Sequence, residues 1–198
     1  NKIKNSIIDK NLLKNKFIFN YIGSFTKLTQ PEVIIKAAKI LQKENFKDKF
    51  SFIICGNGDY YEYCKNLAKE VTSIQFTGWI EKPDIDFVNS ISLGGIVPSV
   101  ESATLPNKFF SYCGSSQIII SSSKGTLKNL IKKYSAGFYF EQENPHSLAN
   151  IFKTIYNMPT ETIREMQKNS LKLFNDHFEP NLIYEDFANY LINFPNIK

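Results

Sequence analysis

Polar residues between two apolar runs have the types and spacing of an anion-binding loop. Glu101 lies in the polar loop that follows Ser99, and Asn107 and Lys108 come directly after Pro106. Pro106 suits the first turn of a helix, because its missing N–H costs nothing there. The first N–H groups of such a helix have no partner within it and favour a phosphate. We therefore expect an anion site where the Glu101 loop meets this helix.

Apolar runs of strand length alternate along the chain with amphipathic segments of helix length. The runs predict strands at residues 17–23, 50–58, 74–80, 93–99, 117–122 and 137–140. Helices are predicted from Pro106 and at residues 31–45, 59–71, 83–91, 126–135, 145–157, 160–174 and 181–194. This alternation predicts a Rossmann-like, three-layer α/β domain with a mostly parallel six-stranded sheet. Ligands bind at the carboxyl ends of the strands in such sheets, where the Pro106 helix begins.

The composition is that of a folded protein with an excess of positive charge. The 198 residues carry a formal net charge of +5, and 42% of them are hydrophobic. The lysines are scattered and Arg164 is the only arginine, which argues against nucleic acid as a partner. Peripheral association with an anionic membrane stays open. Because no run is long enough for a membrane helix and no signal peptide is visible, we expect a cytoplasmic protein, peripheral at the inner face of the cell membrane if it binds there.

Cysteine and histidine usage predicts no metal site. Cys55, Cys64 and Cys113 are far apart and form no C-x-x-C motif, so we expect reduced core residues and not a disulfide framework. His146 and His177 have no cysteine or carboxylate at metal-ligand spacing. We therefore predict neither a protein-built metal site nor a bound cofactor.

Several short segments in a fixed order give the chain a family resemblance. They are Y-I-G-S at 21–24, F-I-I-C-G-N-G at 52–58, I-Q-F-T-G-W-I at 74–80, V-P-S-V-E at 97–101 and L-P-N-K-F-F-S-Y at 105–112. Together they resemble the C-terminal, donor-binding half of a GT-B glycosyltransferase, closest to glycosyltransferase family 4. The resemblance implies a linker or truncated connection at 1–16, a nucleotide-sugar-binding domain at 17–158, and terminal helices at 159–198 that pack on the same domain.

This resemblance implies the retaining transfer of a sugar from a nucleotide diphosphate-sugar to a glycan or lipid-linked acceptor, in the biosynthesis of a bacterial surface polysaccharide. Glu101 matches the first of the family's two glutamates beside the donor and is the implied catalytic residue. An N-terminal GT-B domain of the same chain would hold the acceptor, so we expect this half alone not to turn over. The implied donor-binding residues are Gly23, Ser24, Lys27, Gly56, Gly58, Gly78, Trp79, Ile80, Thr104, Leu105, Pro106, Asn107, Lys108 and Ser111.

Three places depart from the family's pattern, and one of them is the turn at 116–118, where S-Q-I stands in place of the family's small-residue turn G-K-P. Ser111 stands where the family usually has a glutamate that binds the ribose hydroxyls, and Lys27 is displaced from the places of the family's basic residues in the first loop. These departures leave a second hypothesis, a catalytically degenerate α/β module that binds nucleotide or serves as a scaffold. A receiver-type regulator is disfavoured, because it would need acidic residues where these strands end in Gly23, Gly58 and Ser99.

Alternative roles remain open for several of the candidate residues. Trp79 lines the base pocket or, as aromatic residues mostly do, packs. Gly56 and Gly58 contact the ligand or only end a strand. Lys27 neutralises a pyrophosphate or is an ordinary loop lysine, and Asn107 and Lys108 bind the donor or only begin a helix.

Overall fold

Six parallel strands form one sheet in the computed structural model, which describes residues 8, 9, 11, 13–100 and 105–193. The strands are β1 (Phe17–Ile22), β2 (Phe50–Cys55), β3 (Ile74–Gly78), β4 (Gly94–Val97), β5 (Ile118–Ser121) and β6 (Gly137–Tyr139). Their order is β3-β2-β1-β4-β5-β6, and every pairing among these strands is parallel. The predicted Rossmann-like sheet is therefore confirmed.

Helices cover both faces of the sheet and complete the three layers. They are α1 (Glu32–Lys43), α2 (Tyr61–Leu67), α3 (Lys82–Ile91), α4 (Asn107–Gly114), α5 (Thr126–Tyr134), α6 (Pro145–Tyr156), α7 (Thr160–His177) and α8 (Pro180–Ile192). The buried side chains of α1, α2 and α6 share one core with alternate residues of β1 and β2. The intervening strand residues face the opposite side, because successive side chains of a strand alternate; there α3 and the pair α4 and α5 pack.

Aromatic residues fill the larger core, between the sheet and the helices α1 and α6. The ring of Phe152 on α6 lies 4.7 Å from that of Phe19 and 5.0 Å from that of Phe52, measured between centroids. All three side chains are almost completely buried. Such pairs add to the burial of apolar area, which is the main stabilising contribution to this face.

The carboxyl ends of several strands come earlier in the chain than the apolar runs predict. The second strand ends at Cys55 and not at Gly58, and the fourth ends at Val97 and not at Ser99. Beyond Cys55 the chain leaves the strand, and the Gly56 N–H donates a hydrogen bond to the carbonyl of Gly78, the last residue of β3, at 2.7 Å. The helix predicted from residue 59 begins later, because α2 starts at Tyr61, and its N-cap residue Tyr60 makes no side-chain cap. These shorter strands leave loop residues free to line a cleft.

The two terminal helices differ in how they pack. Ile163 and Leu173 of α7 are buried in the core. In contrast, every residue of α8 whose side chain is described is exposed, including Tyr184, Phe187 and Leu191, although we expected both helices to pack on this domain. The proposed domain boundaries remain predictions. Among the described residues, no helix combines the length and apolarity needed to cross a bilayer.

Gly95 on β4 lets a tyrosine of α4 pack directly on the strand. A Cβ atom at Gly95 would lie only 2.2 Å from the ring of Tyr112. The buried Tyr112 uses this space to reach β1, where its hydroxyl oxygen accepts a hydrogen bond from Ile22 N–H at 2.8 Å. The contact fixes α4 against the ends of both central strands.

We expect Gly95→Ala to destabilise the protein by about 1–3 kcal/mol, because the new methyl group forces the Tyr112 ring out of its place. Gly114→Ala is the matched control, since a Cβ there meets only the ring of Phe174 at 3.4 Å. That change lies within α4 and should be neutral or stabilising by up to about 1 kcal/mol. Chemical denaturation of both variants measures the difference, and equal stability of the two would contradict this account of Gly95.

Candidate functional site

A pocket opens where β1 and β4 end, at the point where the order of the strands reverses. In open parallel sheets the connections diverge at this point and leave a crevice for a ligand. The pocket, called here the first pocket, has a volume of about 330 Å³. It is lined by the β1 end and first loop (Ile22, Gly23, Ser24, Thr29), the β4 end (Val97, Pro98, Ser99) and the start of α4 (Pro106, Asn107, Lys108).

A second pocket lies beside the first, on the other side of the α4 start. Its volume is about 230 Å³, and Ile85, Ser111 and Tyr112 line it together with three residues of the first pocket. Those shared residues are Ile22, Asn107 and Lys108. The two pockets are therefore neighbours, with the first turn of α4 forming their common wall.

The start of α4 supplies unpaired donors at this common wall. Pro106 is the N-cap residue with extended backbone angles, and the first hydrogen bond of this turn runs from Phe109 N–H to the Pro106 carbonyl at 2.9 Å. The N–H groups of Asn107 and Lys108 precede that bond and have no acceptor within the helix. Together with the positive end of the helix dipole, they favour an anion in either pocket.

Lys108 places a positive charge at the same position. Its Nζ lies 4.1 Å from the centroid of the Tyr21 ring. The ammonium group rests on the backbone of Gly23, where a Cβ atom would come within 2.6 Å of Nζ. Burial lowers the pKa of Lys108 to about 8, because desolvation disfavours the charged amine. No carboxylate in the described part of the chain pairs with it, so an anionic ligand would supply the missing countercharge.

The first loop is held in shape by its own hydroxyl groups. The hydroxyls of Tyr21 and Thr29 both donate to the Ser24 carbonyl, at 2.6 and 2.7 Å. Thr26 N–H donates to the Thr29 hydroxyl oxygen at 3.1 Å. Gly23 and Ser24 are therefore presented to the first pocket on a fixed backbone.

Two side chains and one backbone carbonyl from other segments hold the residues that follow β4. Ser99 N–H donates to the Ser122 hydroxyl oxygen at 2.9 Å, and Gln142 Nε2 donates to the Ser99 carbonyl at 3.0 Å. Val100 N–H donates to the Leu28 carbonyl at 3.1 Å. These bonds fix the last residues before Glu101, which itself lies outside the described residues, as does Thr104.

Six of the predicted donor-binding residues line the pockets. They are Gly23, Ser24, Pro106, Asn107, Lys108 and Ser111. Leu105 instead packs against the core beneath α4. Lys27 is exposed and lines neither pocket. Whether these residues bind a donor remains a prediction, but the structure brings the central group of them together.

The remaining described candidates lie at the end of β3 or in the loops that follow β2 and β3, and they line neither pocket. Gly56 and Gly58 abut the backbone of the first loop, where a Cβ at either would come within 2.5 Å of the Gly23 or Phe25 carbonyl oxygen. Ile80 is buried in the core beside α3. Gly78 is the last residue of β3, and the next residue, Trp79, is 80% exposed. The interpretation of Trp79 as a packing residue is therefore wrong, and its role beside a base stays a prediction.

Sequence reasoning did not select several residues that build the pockets. Thr29 fixes the first loop, Tyr112 joins α4 to β1, and Asn89 donates from α3 to the Ser111 hydroxyl oxygen at 2.8 Å. Thr29 and Tyr112 carry no sequence signal beyond ordinary loop and helix residues. Asn89 does carry one, since an asparagine within an apolar helix face is an unusual residue to bury.

The cysteines are core residues of this fold. All three cysteines are free and buried, as expected of reduced core residues, and burial raises the pKa of Cys55 to about 11. In the described part of the chain, no three histidine, cysteine or acidic side chains cluster closely enough to hold a metal ion.

The parallel sheet and the pocket at its switch point define a nucleotide-binding type of α/β domain. Residues 3–173 match the family model of glycosyl transferases group 1. The chain therefore belongs to this glycosyltransferase family. A search of curated protein sequences found no significant match.

Several solved structures have the same fold, and glycosyltransferases are among them. HepE from Anabaena, in complex with UDP and glucose, has a TM-score of 0.77 at 15% identity, covering 91% of this chain and 49% of HepE. WaaG, a glycosyltransferase involved in lipopolysaccharide biosynthesis, has a TM-score of 0.72 at 11% identity, covering 92% and 48%. The C-terminal domain of LpcC from Francisella tularensis has a TM-score of 0.69 at 14% identity, and the match covers 82% of this chain and 86% of that domain. The chain spans about half the length of HepE and WaaG.

We expect the affinity for a nucleoside diphosphate to fall as the pH rises through the pKa of Lys108, which is about 8. Above that pH the free protein has lost the proton that an anionic ligand requires, so binding must take one up. The affinity should drop on the order of tenfold between about pH 7 and about pH 9. Titration calorimetry with UDP across this range measures the profile.

Lys108→Met should weaken UDP binding and abolish this pH dependence. Lys65→Met is a matched control, because Lys65 Nζ also lies over a tyrosine ring, 5.6 Å from the centroid of Tyr61, but lines neither pocket. A pH profile that Lys108→Met leaves unchanged would show that another group titrates.

Proposed function

We propose that this chain is the donor-binding half of a glycosyltransferase of family 4 and that its two pockets bind a nucleotide diphosphate-sugar. One observation carries the proposal: Lys108, without a carboxylate partner among the described residues, lies at the free start of α4, between the ends of β1 and β4. A cation, free N–H groups and a glycine-bounded loop are the features that hold a diphosphate. The UDP found in the HepE structure is consistent with this ligand class.

The chemistry proposed is transfer with retention of configuration at the sugar. The bond from the sugar C1 to the diphosphate oxygen breaks, and a bond from C1 to the acceptor oxygen forms. The acceptor's hydroxyl proton passes to the leaving phosphate oxygen, which departs as the nucleoside diphosphate. Lys108 and the α4 N–H groups stabilise the charge that develops on that phosphate, and Glu101 orients the sugar beside it.

The acceptor belongs to the other half of a longer protein in this proposal. This chain spans 49% of HepE, so an N-terminal GT-B domain would hold the acceptor and this half alone would not turn over. The acceptor proposed is a glycan or lipid-linked glycan in bacterial surface polysaccharide biosynthesis, in the cytoplasm, with an anionic membrane surface as a possible peripheral partner. The role printed for WaaG in lipopolysaccharide biosynthesis supports this class of pathway.

A second candidate function is a degenerate module that keeps the fold without transferring a sugar. Ser111 and Lys27 favour it, because a serine stands in the expected place of a carboxylate and the first-loop lysine lines neither pocket. Lys108 has no carboxylate partner among the described residues and so favours the first candidate, since a scaffold gains nothing from a desolvated cation.

Titration calorimetry of the chain with UDP, GDP and their sugars tests the donor claim. We expect at least one of them to bind with a Kd below about 1 mM, and Lys108→Met to weaken it by about tenfold or more. Uridine serves as the control ligand, because it lacks the diphosphate and should bind far more weakly. A folded chain that binds none of these nucleotides at millimolar concentration would exclude the donor function and leave the scaffold.

In the full-length protein, Glu101→Gln should separate transfer from donor binding. The change keeps the size of the side chain and removes its charge, so we expect transfer to fall by about 10²-fold or more. The Kd for UDP should stay within about twofold, because Glu101 is proposed to contact the sugar and not the nucleotide. Radiolabelled transfer and UDP titration on the same preparation measure both, and unchanged transfer would remove Glu101 from the mechanism.

A further inference from the structure

A chain of amide hydrogen bonds lies beneath the second pocket and ends at Ser111. Asn89 of α3 is buried, and its Nδ2 donates to the Ser111 hydroxyl oxygen at 2.8 Å. Its Oδ1 accepts from Asn20 Nδ2 at 2.9 Å and from Gln117 Nε2 at 3.1 Å. Gln117 Nε2 also donates to the Asn89 backbone carbonyl at 3.0 Å. The proposed transfer reaction uses none of these three amides.

One backbone carbonyl fixes the direction of every hydrogen bond in this chain. The Asn89 carbonyl only accepts, so Gln117 must turn its Nε2 towards it. The same Nε2 contacts the Asn89 side chain, whose atom there must therefore be Oδ1. Asn89 Nδ2 then faces Ser111 and only donates, so the Ser111 oxygen must accept. Its single O–H is thereby left to point away from Asn89, towards the pocket that Ser111 lines.

These orientations of the three amides leave two buried oxygen atoms without a partner among the described residues. Asn20 Oδ1 and Gln117 Oε1 have no hydrogen-bond partner among the described residues. Turning either amide would bring a second oxygen against an oxygen of Asn89, which exchanges an unpaired acceptor for a repulsive contact. The orientation of Asn89 is therefore determined by Gln117, and the orientation of Asn20 follows from that of Asn89.

We propose that Asn89 is a positioning residue that fixes the Ser111 hydroxyl as a hydrogen-bond donor into the second pocket, for an oxygen acceptor of a nucleoside diphosphate. This inference rests on the proposed donor function and deepens it. A carboxylate at this position could only accept, and would select hydroxyl protons of the ligand. Ser111, with the Lys108 amine on the same pocket wall, instead selects ligand oxygen atoms, either of the ribose or of the phosphates.

A double-mutant cycle on UDP affinity tests the positioning role. Ser111→Ala removes the donor, and Asn89→Leu frees the hydroxyl to rotate, so each should weaken UDP binding by about 3- to 10-fold, the size of one hydrogen bond. The double variant should bind no more weakly than either single variant, because both act through one hydroxyl. Gln42→Ala is the matched amide control: Gln42 Nε2 donates to the Glu70 carbonyl at 2.8 Å, far along the fold, and its loss should leave UDP affinity unchanged.

The ligands and outcomes separate this inference from the proposed function. If Ser111→Ala weakens the binding of inorganic pyrophosphate as well as that of UDP, the acceptor is a phosphate oxygen. If it weakens the binding of UDP alone, the acceptor lies on the nucleoside. Losses that multiply in the double variant, or an unchanged affinity of either single variant, would overturn the inference while UDP binding by the parent chain stands. A parent chain that binds neither UDP nor GDP would overturn the donor function itself, and this inference with it.

A nuclear magnetic resonance measurement keeps the inference testable if Asn89→Leu does not fold. The side-chain amide protons of Asn89 should give shifted, slowly exchanging signals that move upfield in Ser111→Ala without any ligand. UDP should shift these signals in the parent chain and leave them in place in Ser111→Ala. Signals that do not respond to Ser111→Ala would show that Asn89 does not position the hydroxyl.

Discussion

The hydrogen bond from Ile22 N–H to the Tyr112 hydroxyl oxygen, 2.8 Å long, joins the end of β1 to α4 across β4. Every part of the candidate site depends on where it sets α4. It is possible only because Gly95 lets the Tyr112 ring lie on the strand. With the helix in this position, its first turn separates the two pockets, and the Lys108 amine rests on the Gly23 backbone.

The position of Lys108 lowers the stability of the free protein and favours the binding of an anion. The half-buried amine of Lys108 has no carboxylate partner among the described residues, and it loses hydration that the Tyr21 ring only partly replaces. The same desolvation strengthens its attraction for an anion that enters the pocket, because the local dielectric is low. A carboxylate neighbour would stabilise the free protein and compete with the ligand. The open countercharge is therefore better explained by binding than by folding.

The sequence predicted the fold well, because its signals are local and repeated. Apolar runs such as Phe50–Cys55 and helical spacing such as that of α1 locate most elements to within a few residues. The order of the motif segments then predicted a site at the carboxyl edge of the sheet, the edge at which the two pockets lie. The strand ends were less predictable. The segment G-N-G at 56–58 follows the apolar run directly and was included in the predicted strand, whereas β2 ends at Cys55.

The predicted pocket residues are those that lie on the quoted sequence motifs. Gly23 and Pro106 line the first pocket, Ser111 lines the second, and Lys108 lines both. Trp79 was misjudged because an aromatic residue beside a strand usually packs, whereas this one is 80% exposed. Asn89 was missed because its role comes from three partners distant in sequence, Asn20, Ser111 and Gln117.

This last group explains why a serine needs more support than the carboxylate it replaces. A carboxylate accepts in every orientation, so its position alone determines its role. A hydroxyl both donates and accepts, and becomes selective only when neighbouring groups occupy one of these capacities. The buried carbonyl of Asn89 supplies that constraint through Gln117, and the two amide oxygens left without partners are consistent with its cost. The three buried amides that lead to the exposed Ser111 therefore support a role for this serine in ligand binding.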